Sequence, residues 1–220
     1  MAKEPLTDVA EVLAPKRCAL LVIDVQNDFI HPHGWSARHA PKGPSLRHVI
    51  PVINALIKGA RGAGVPVAYV CMEHGPEIDA PNYRARYATR TMVGDILCAA
   101  GSWGAHLDDE LAPPTPRDLV VVRHTYDGFA GTPLDAWLRA AGVETVVGTG
   151  VVTNLCVQTT IHHAFALGYY VAVASDGTAA ASTVEHDVTL RNFAQFFGPV
   201  LSGAEFLGHW ARSAPARPAT

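Results

Sequence analysis

The sequence predicts an α/β protein, a three-layer α/β/α sandwich built around a parallel sheet. Short continuous apolar runs such as "CALLVID" (Cys18 to Asp24) and "VPVAYVC" (Val65 to Cys71) recur along the chain, and such runs suit strands buried on both faces. Between them lie longer stretches whose apolar residues return at helical spacing. Neither an internal repeat nor a linker interrupts this alternation. The 220 residues therefore read as one domain, 1–220, with a core over about 18–207 and tails outside it.

After "CALLVID" comes "HVIPVINALIKGARGAG", a helix with Val49, Val52, Ile53, Leu56 and Ile57 on its apolar side and glycines at its close. "VPVAYVC" is the second strand. The stretch from Met72 to Pro116, rich in Gly, Pro and aromatics, reads as irregular insertion with room for a short helix or two. "LVVVR" (Leu119 to Arg123) is the third strand, and "TPLDAWLRAAG" a helix with Thr132 as N-cap and Pro133 at its first position. "TVVGTG" is the fourth strand, followed by the helix "NLCVQTTIHHAFALG", which Gly168 stops. "YYVAVAS" is the fifth strand, "STVEHDVTLRNFAQFFG" a long helix, and "PVLS" a sixth strand; the tail "ARSAPARPAT" is expected to be disordered.

Composition excludes several function classes. Hydrophobic residues make up 49% and charged residues 17%, ordinary for a compact soluble protein. A net charge of −3 supplies no electrostatic footprint for nucleic acid or an anionic membrane. No apolar run approaches the roughly 18–20 residues that span a bilayer, and the N-terminus lacks the apolar segment of a secretory signal. The four cysteines, Cys18, Cys71, Cys98 and Cys156, show no CxxC spacing, which favours free thiols in a reducing compartment. A cytoplasmic location is expected.

In open α/β sheets ligands bind beyond the carboxyl ends of the strands, so the residues there carry the functional information. The strands run into Asp24, Cys71, Arg123, Gly150 and Ser175-Asp176. No GxGxxG or GxxxxGK[ST] follows any of them, which argues against dinucleotide or phosphate binding. Eleven histidines include His31 and His33 in "HPHG", but no HExxH or CxxC accompanies them, and the adjacent His162 and His163 must point in different directions on a helix. Cys156 lies in the first turn after the fourth strand, where unpaired backbone N–H groups and the helix dipole are expected to lower its pKa and raise its thiolate fraction. An acid (Asp24), a cation (Arg123) and this thiol thus emerge on one crest of the sheet, the ingredients of a nucleophilic site. Cysteines are often buried for packing alone, and Cys18, Cys71 and Cys98 are read that way.

At these residues the sequence resembles the isochorismatase-like cysteine hydrolase family. The matching stretches are "LLVIDVQNDF", "GVPVAYV", "GSWGAHLDDEL", "VVVRHTYDGFAGTPLDAWLRAAGVETVVGTGVVTNLCVQTT" and "VASDGTAAAS". The resemblance is closest to ureidoacrylate and N-carbamoylsarcosine-type amidohydrolases. It implies six parallel strands, Asp24 as the base toward the thiol, Cys156 as nucleophile, and a cis peptide joining Val151 to Val152. That bond would turn the Val152 N–H inward, forming an oxyanion hole with the Cys156 N–H. It further implies a thioester route for cleaving an amide or ureido C–N bond, and a homodimer or homotetramer.

Two departures stand out. Where the family has lysine in "KxxYxxF", this chain has Arg123 in "RHTYDGF". Arginine keeps the charge but does not give up a proton, so its role would be electrostatic. After the second strand, "CMEHGPEIDAP" offers only His74 where metal-binding relatives supply an aspartate and histidines, so the resemblance implies no metal and no cofactor. By motif position Phe29, Trp35, Asn82, Tyr83, Tyr126 and Phe129 are candidate substrate-binding residues, with Trp35 and Tyr83 expected in loops. Gln26 and Asn27 either orient a substrate or satisfy the turn after the first strand, and His124 is either a flanking group or structural. Two alternatives stay open: a vinyl-ether hydrolase of the isochorismatase type that leaves Cys156 idle, and a catalytically silent binding protein.

Overall fold

The computed structural model describes residues 4–39, 45–88 and 95–212. In chain order the elements are α1 (Val9–Val12), β1 (Cys18–Ile23), α2 (Asn27–Ile30), α3 (Trp35–His39), α4 (Ile50–Ala63), β2 (Val67–Met72), α5 (Pro81–Ala88) and β3 (Leu119–Arg123). There follow α6 (Leu134–Ala140), β4 (Thr145–Val151), α7 (Gln158–Ala166), β5 (Tyr170–Ala179), α8 (Thr183–Phe196), β6 (Val200–Leu201) and α9 (Gly203–Arg212). Among the described residues the strands form one six-stranded sheet in the order β3-β2-β1-β4-β5-β6, every pair parallel. Among the described residues no helix is long and apolar enough to cross a membrane.

The period of two along each strand sorts its side chains to opposite faces. Leu20 and Val22 of β1, with Val67, Tyr69 and Cys71 of β2, pack against Ile53, Leu56 and Ile57 of α4 and against Phe206 and Trp210 of α9. Their neighbours Leu21, Ile23, Ala68, Val70 and Met72 face the other way, toward Leu134 and Leu138 of α6, Ile161 and Ala164 of α7, and Phe193 of α8. Each fully buried aliphatic side chain contributes about 1.5–3 kcal/mol relative to exposure, so both faces of the central strands hold the layers together. β3 lies at the edge, where Val120 and Val122 are exposed and only Val121 and Arg123 turn inward.

Local signals explain the boundaries. Gly64 closes α4 in the left-handed conformation at φ 74°. The Thr132 hydroxyl accepts from Leu134 N–H at 3.3 Å, so the capping side chain stands two residues before the start of α6, with Pro133 between them. β5 overruns its expected end at Ser175-Asp176 and continues to Ala179. Its register against β4 shifts between Gly148↔Val173 and Gly150↔Thr178, so an irregular stretch opposes Thr149 and lets the strand resume. α9 is a correction to the sequence reading: Ala211 and Arg212 belong to it rather than to a tail, because Phe206 and Trp210, one turn apart, anchor it to the core. The rest of the tail expected to be disordered lies outside the described residues.

Candidate active site

The strand order reverses between β1 and β4: the chain runs outward through β2 and β3 on one side, and through β5 and β6 on the other. The crevice beyond the carboxyl ends of β1 and β4 is the expected ligand position in such a sheet. Asp24 directly follows β1 with φ 53°, a left-handed conformation uncommon for a residue with a side chain. Across from it Gly150 takes φ 105°, and a Cβ there would collide with the Ile23 carbonyl oxygen. Only glycine lets the two strand ends approach so closely.

Arg123, the last residue of β3, reaches over β2 to this point. Its Nη2 donates to Asp24 Oδ2 at 2.6 Å, and its Nη1 donates to the Thr125 carbonyl. Both side chains are fully buried. Cys156 comes from the other side of the switch, on a single π-helical turn, Thr153–Val157, that leads into α7. Its thiol sits beside both charges. The Val151–Val152 peptide is cis. The Val152 carbonyl then accepts from Leu155 N–H at 3.1 Å and Val157 N–H at 3.3 Å, which ties the turn to the strand end.

Burial raises the pKa of Asp24, while the Arg123 charge and the Cys156 thiol pull against it. Burial works against the Arg123 charge, but Asp24 and Cys156 outweigh it and the pKa rises. Burial, then the Asp24 carboxylate, push the Cys156 thiol well above its ordinary value, with Arg123 opposing. This corrects the sequence expectation of a thiol acidified by a helix start. Desolvation and the Asp24 carboxylate raise the thiol pKa, while the Arg123 charge favours the thiolate.

The candidate wall residues separate. Tyr83 is buried on α5, not in a loop; its ring lies 4.9 Å from that of Tyr126 and 5.5 Å from that of His74, and its phenol feels both Cys156 and Arg123. Phe29 is half-buried and packs against both core clusters. Phe129 is buried beneath α7, with ring contacts to His163 and Tyr169. Trp35 opens α3 rather than a loop; it stacks on His39 and donates Nε1–H to the Asp95 carbonyl at 3.1 Å. Asn82 is exposed on α5. Gln26 knits the ends of β1 and β2 together, donating to the Met72 and Ala105 carbonyls at 2.8 and 2.6 Å and accepting from Met72 N–H at 2.7 Å. Asn27 donates to the Trp103 carbonyl at 2.9 Å, and His124 Nδ1 meets the Glu73 carbonyl at 2.8 Å.

Several contacts escaped the sequence reading. His74, noted there only as a lone histidine after the second strand, is buried, and its Nδ1 lies 2.8 Å from Asp79 Oδ1. The start of α8 grips the Cys156 turn: His186 Nδ1 lies 2.8 Å from Thr153 Oγ1, and Asn154 donates to Glu185 Oε2 at 3.1 Å. The only signal for the grip was the capping pattern Ser182 to Glu185, which places a helix start but not its neighbour. Among the described residues no three His, Cys, Asp or Glu side chains gather in a metal-binding group.

The family model described as the isochorismatase domain matches residues 18–205. This chain belongs to the isochorismatase family. It is 37% identical over 209 residues to the ureidoacrylate amidohydrolase RutB of Methylobacterium radiotolerans, covering 88% of this chain and 80% of that protein. Among solved isochorismatase-like structures, a cysteine hydrolase from Pseudomonas syringae pv. phaseolicola 1448A superposes with a TM-score of 0.81 at 28% identity, over 96% of this chain and 100% of that one. The N-carbamoylsarcosine amidase of Thermoplasma acidophilum gives a TM-score of 0.68 at 32% identity, over 84% and 95% of the two chains. The six-stranded isochorismatase-like fold expected from the sequence is therefore the fold observed.

Proposed function

We propose that this isochorismatase-family hydrolase cleaves a C–N bond of a small carbamoyl or ureido compound through a covalent thioester on Cys156. The observation that carries the reading is the convergence of Asp24, Arg123 and Cys156 at the β1/β4 switch point. The names of the relatives, ureidoacrylate amidohydrolase and N-carbamoylsarcosine amidase, support the substrate class.

Asp24 accepts the Cys156 proton, and burial, by raising the carboxyl pKa, makes it a stronger base than a surface aspartate. The thiolate attacks the carbonyl carbon, and the Val152 and Cys156 N–H groups receive the developing oxyanion. Asp24 returns the proton to the departing ammonia or amine as the C–N bond breaks. It then takes a proton from the water that opens the thioester and passes it to the departing sulfur, which restores the thiol and frees the acid. Arg123 stays cationic throughout and offsets the negative charge shared by Asp24 and the sulfur.

Screening ureido acids, carbamoyl amino acids and simple amides for ammonia release tests the reading. Turnover is expected from the wild type and not from Cys156→Ala, which should keep the fold; hydrolysis retained in that variant rules out the covalent route. The high pKa of Asp24 also suits a proton donor for vinyl-ether cleavage. Activity on isochorismate that survives thiol alkylation would establish that alternative.

A further inference from the structure

We infer that His186 is a positioning residue for hydrolysis, holding the oxyanion turn through the Thr153 hydroxyl. The inference rests on the proposed amidohydrolase reading and assigns a part to a residue outside the Asp24–Arg123–Cys156 group. Thr153 is fully buried and directly follows Val152, the residue whose N–H faces the oxyanion in that reading. Its hydroxyl meets His186 Nδ1 at 2.8 Å. One residue along, Asn154 donates to Glu185 Oε2 at 3.1 Å. Two successive residues of α8 thus grip two successive residues of the turn.

The grip has a direction. α8 is fixed at its own start, where Ser182 Oγ accepts from Glu185 N–H at 3.3 Å, and along its length by Phe193 in the core. His186 also borders a cavity of about 150 Å³ that His48, Thr178 and Thr183 help to line. Without the imidazole, space opens on that side of the turn and water replaces a fixed partner. Donors to an oxyanion act by being held in place before charge develops, so a loosened turn weakens the transition state more than substrate binding.

Steady-state kinetics on the full chain, with whichever amide the screen identifies, test this. Removing one oxyanion donor outright costs about 10²–10³ in kcat, and loosening one should cost less. His186→Ala is expected to lower kcat about 10-fold and leave KM within about 2-fold. His186→Asn, which places an amide near the Nδ1 position, should restore most of the loss. Thr153→Val should reproduce the alanine phenotype, and adding His186→Ala to it should cost nothing further, because both act through one contact. Circular dichroism checks each fold, and the asparagine and valine variants carry the test where the alanine variant fails to fold. A wild-type kcat in His186→Ala, no recovery in His186→Asn, or losses that multiply in the double variant overturn the inference while leaving the amidohydrolase reading intact. A wild type that hydrolyses nothing in the screen overturns both.

Discussion

Arg123 and Asp24 are 99 positions apart in sequence, yet their side chains form a 2.6 Å ion pair with neither exposed to solvent. Breaking such a pair from one side leaves a buried charge alone, which costs about 3–5 kcal/mol. Arg123→Met is therefore expected to lose that much stability in urea unfolding and to abolish ammonia release. Arg123→Lys keeps the charge but not the fork that serves Asp24 and the Thr125 carbonyl together. It should fold, with a smaller stability loss and reduced turnover.

Asp24 raises the pKa of the Cys156 thiol through its charge while serving as its base. Removing that charge should separate reactivity from catalysis. In Asp24→Asn the thiol pKa falls, because one of the causes raising it is gone and Arg123 still favours the thiolate. Labelling of Cys156 by iodoacetamide at neutral pH, followed by mass spectrometry, should be faster in this variant than in the wild type, with hydrolysis lost. Slower labelling would contradict the electrostatic account.

Burial holds the His162 imidazole below its ordinary value of 6.5; His186 is lowered by burial, with Asp187 opposing and His48 assisting. As pH falls through about 6.5 the unfolded chain takes up protons that the folded chain resists. The associated stability is complete above that pH and is lost on the way down to the folded pKa values. The urea midpoint should be lower at pH 5.5 than at pH 7.5. In His162→Phe, where a ring still packs against Phe193 and Phe197, the drop should be smaller.

Gly150→Ala combines a positive φ with a collision at the Ile23 carbonyl. The strained backbone alone costs about 1–3 kcal/mol, and moving the β1 and β4 ends apart displaces Asp24 from the Cys156 turn. Thermal unfolding should show a clear loss of stability, and residual folded protein should be inactive.

The buried runs of β1, β2 and β4 and the apolar stripe of α4 were legible because period and composition are local properties. Asp24, Arg123 and Cys156 were legible as strand-end residues once the parallel sheet was recognised. α9 was missed, since Phe206 and Trp210 form too short a pattern to stand out until a core exists to receive them. The His186–Thr153 contact was illegible because nothing near either residue names the other.

The sequence by itself determined the layered α/β class, the residues that stand at the strand ends and the family, since each depends on residue type at short range. Tertiary structure decided the direction in which the thiol pKa moves, because burial and the distant Asp24 carboxylate raise it against the opposing charge of Arg123. It also decided that Tyr83 comes near Cys156 while Phe129 fills the core. Those outcomes depend on distances through a low-dielectric interior, which only the packed chain defines.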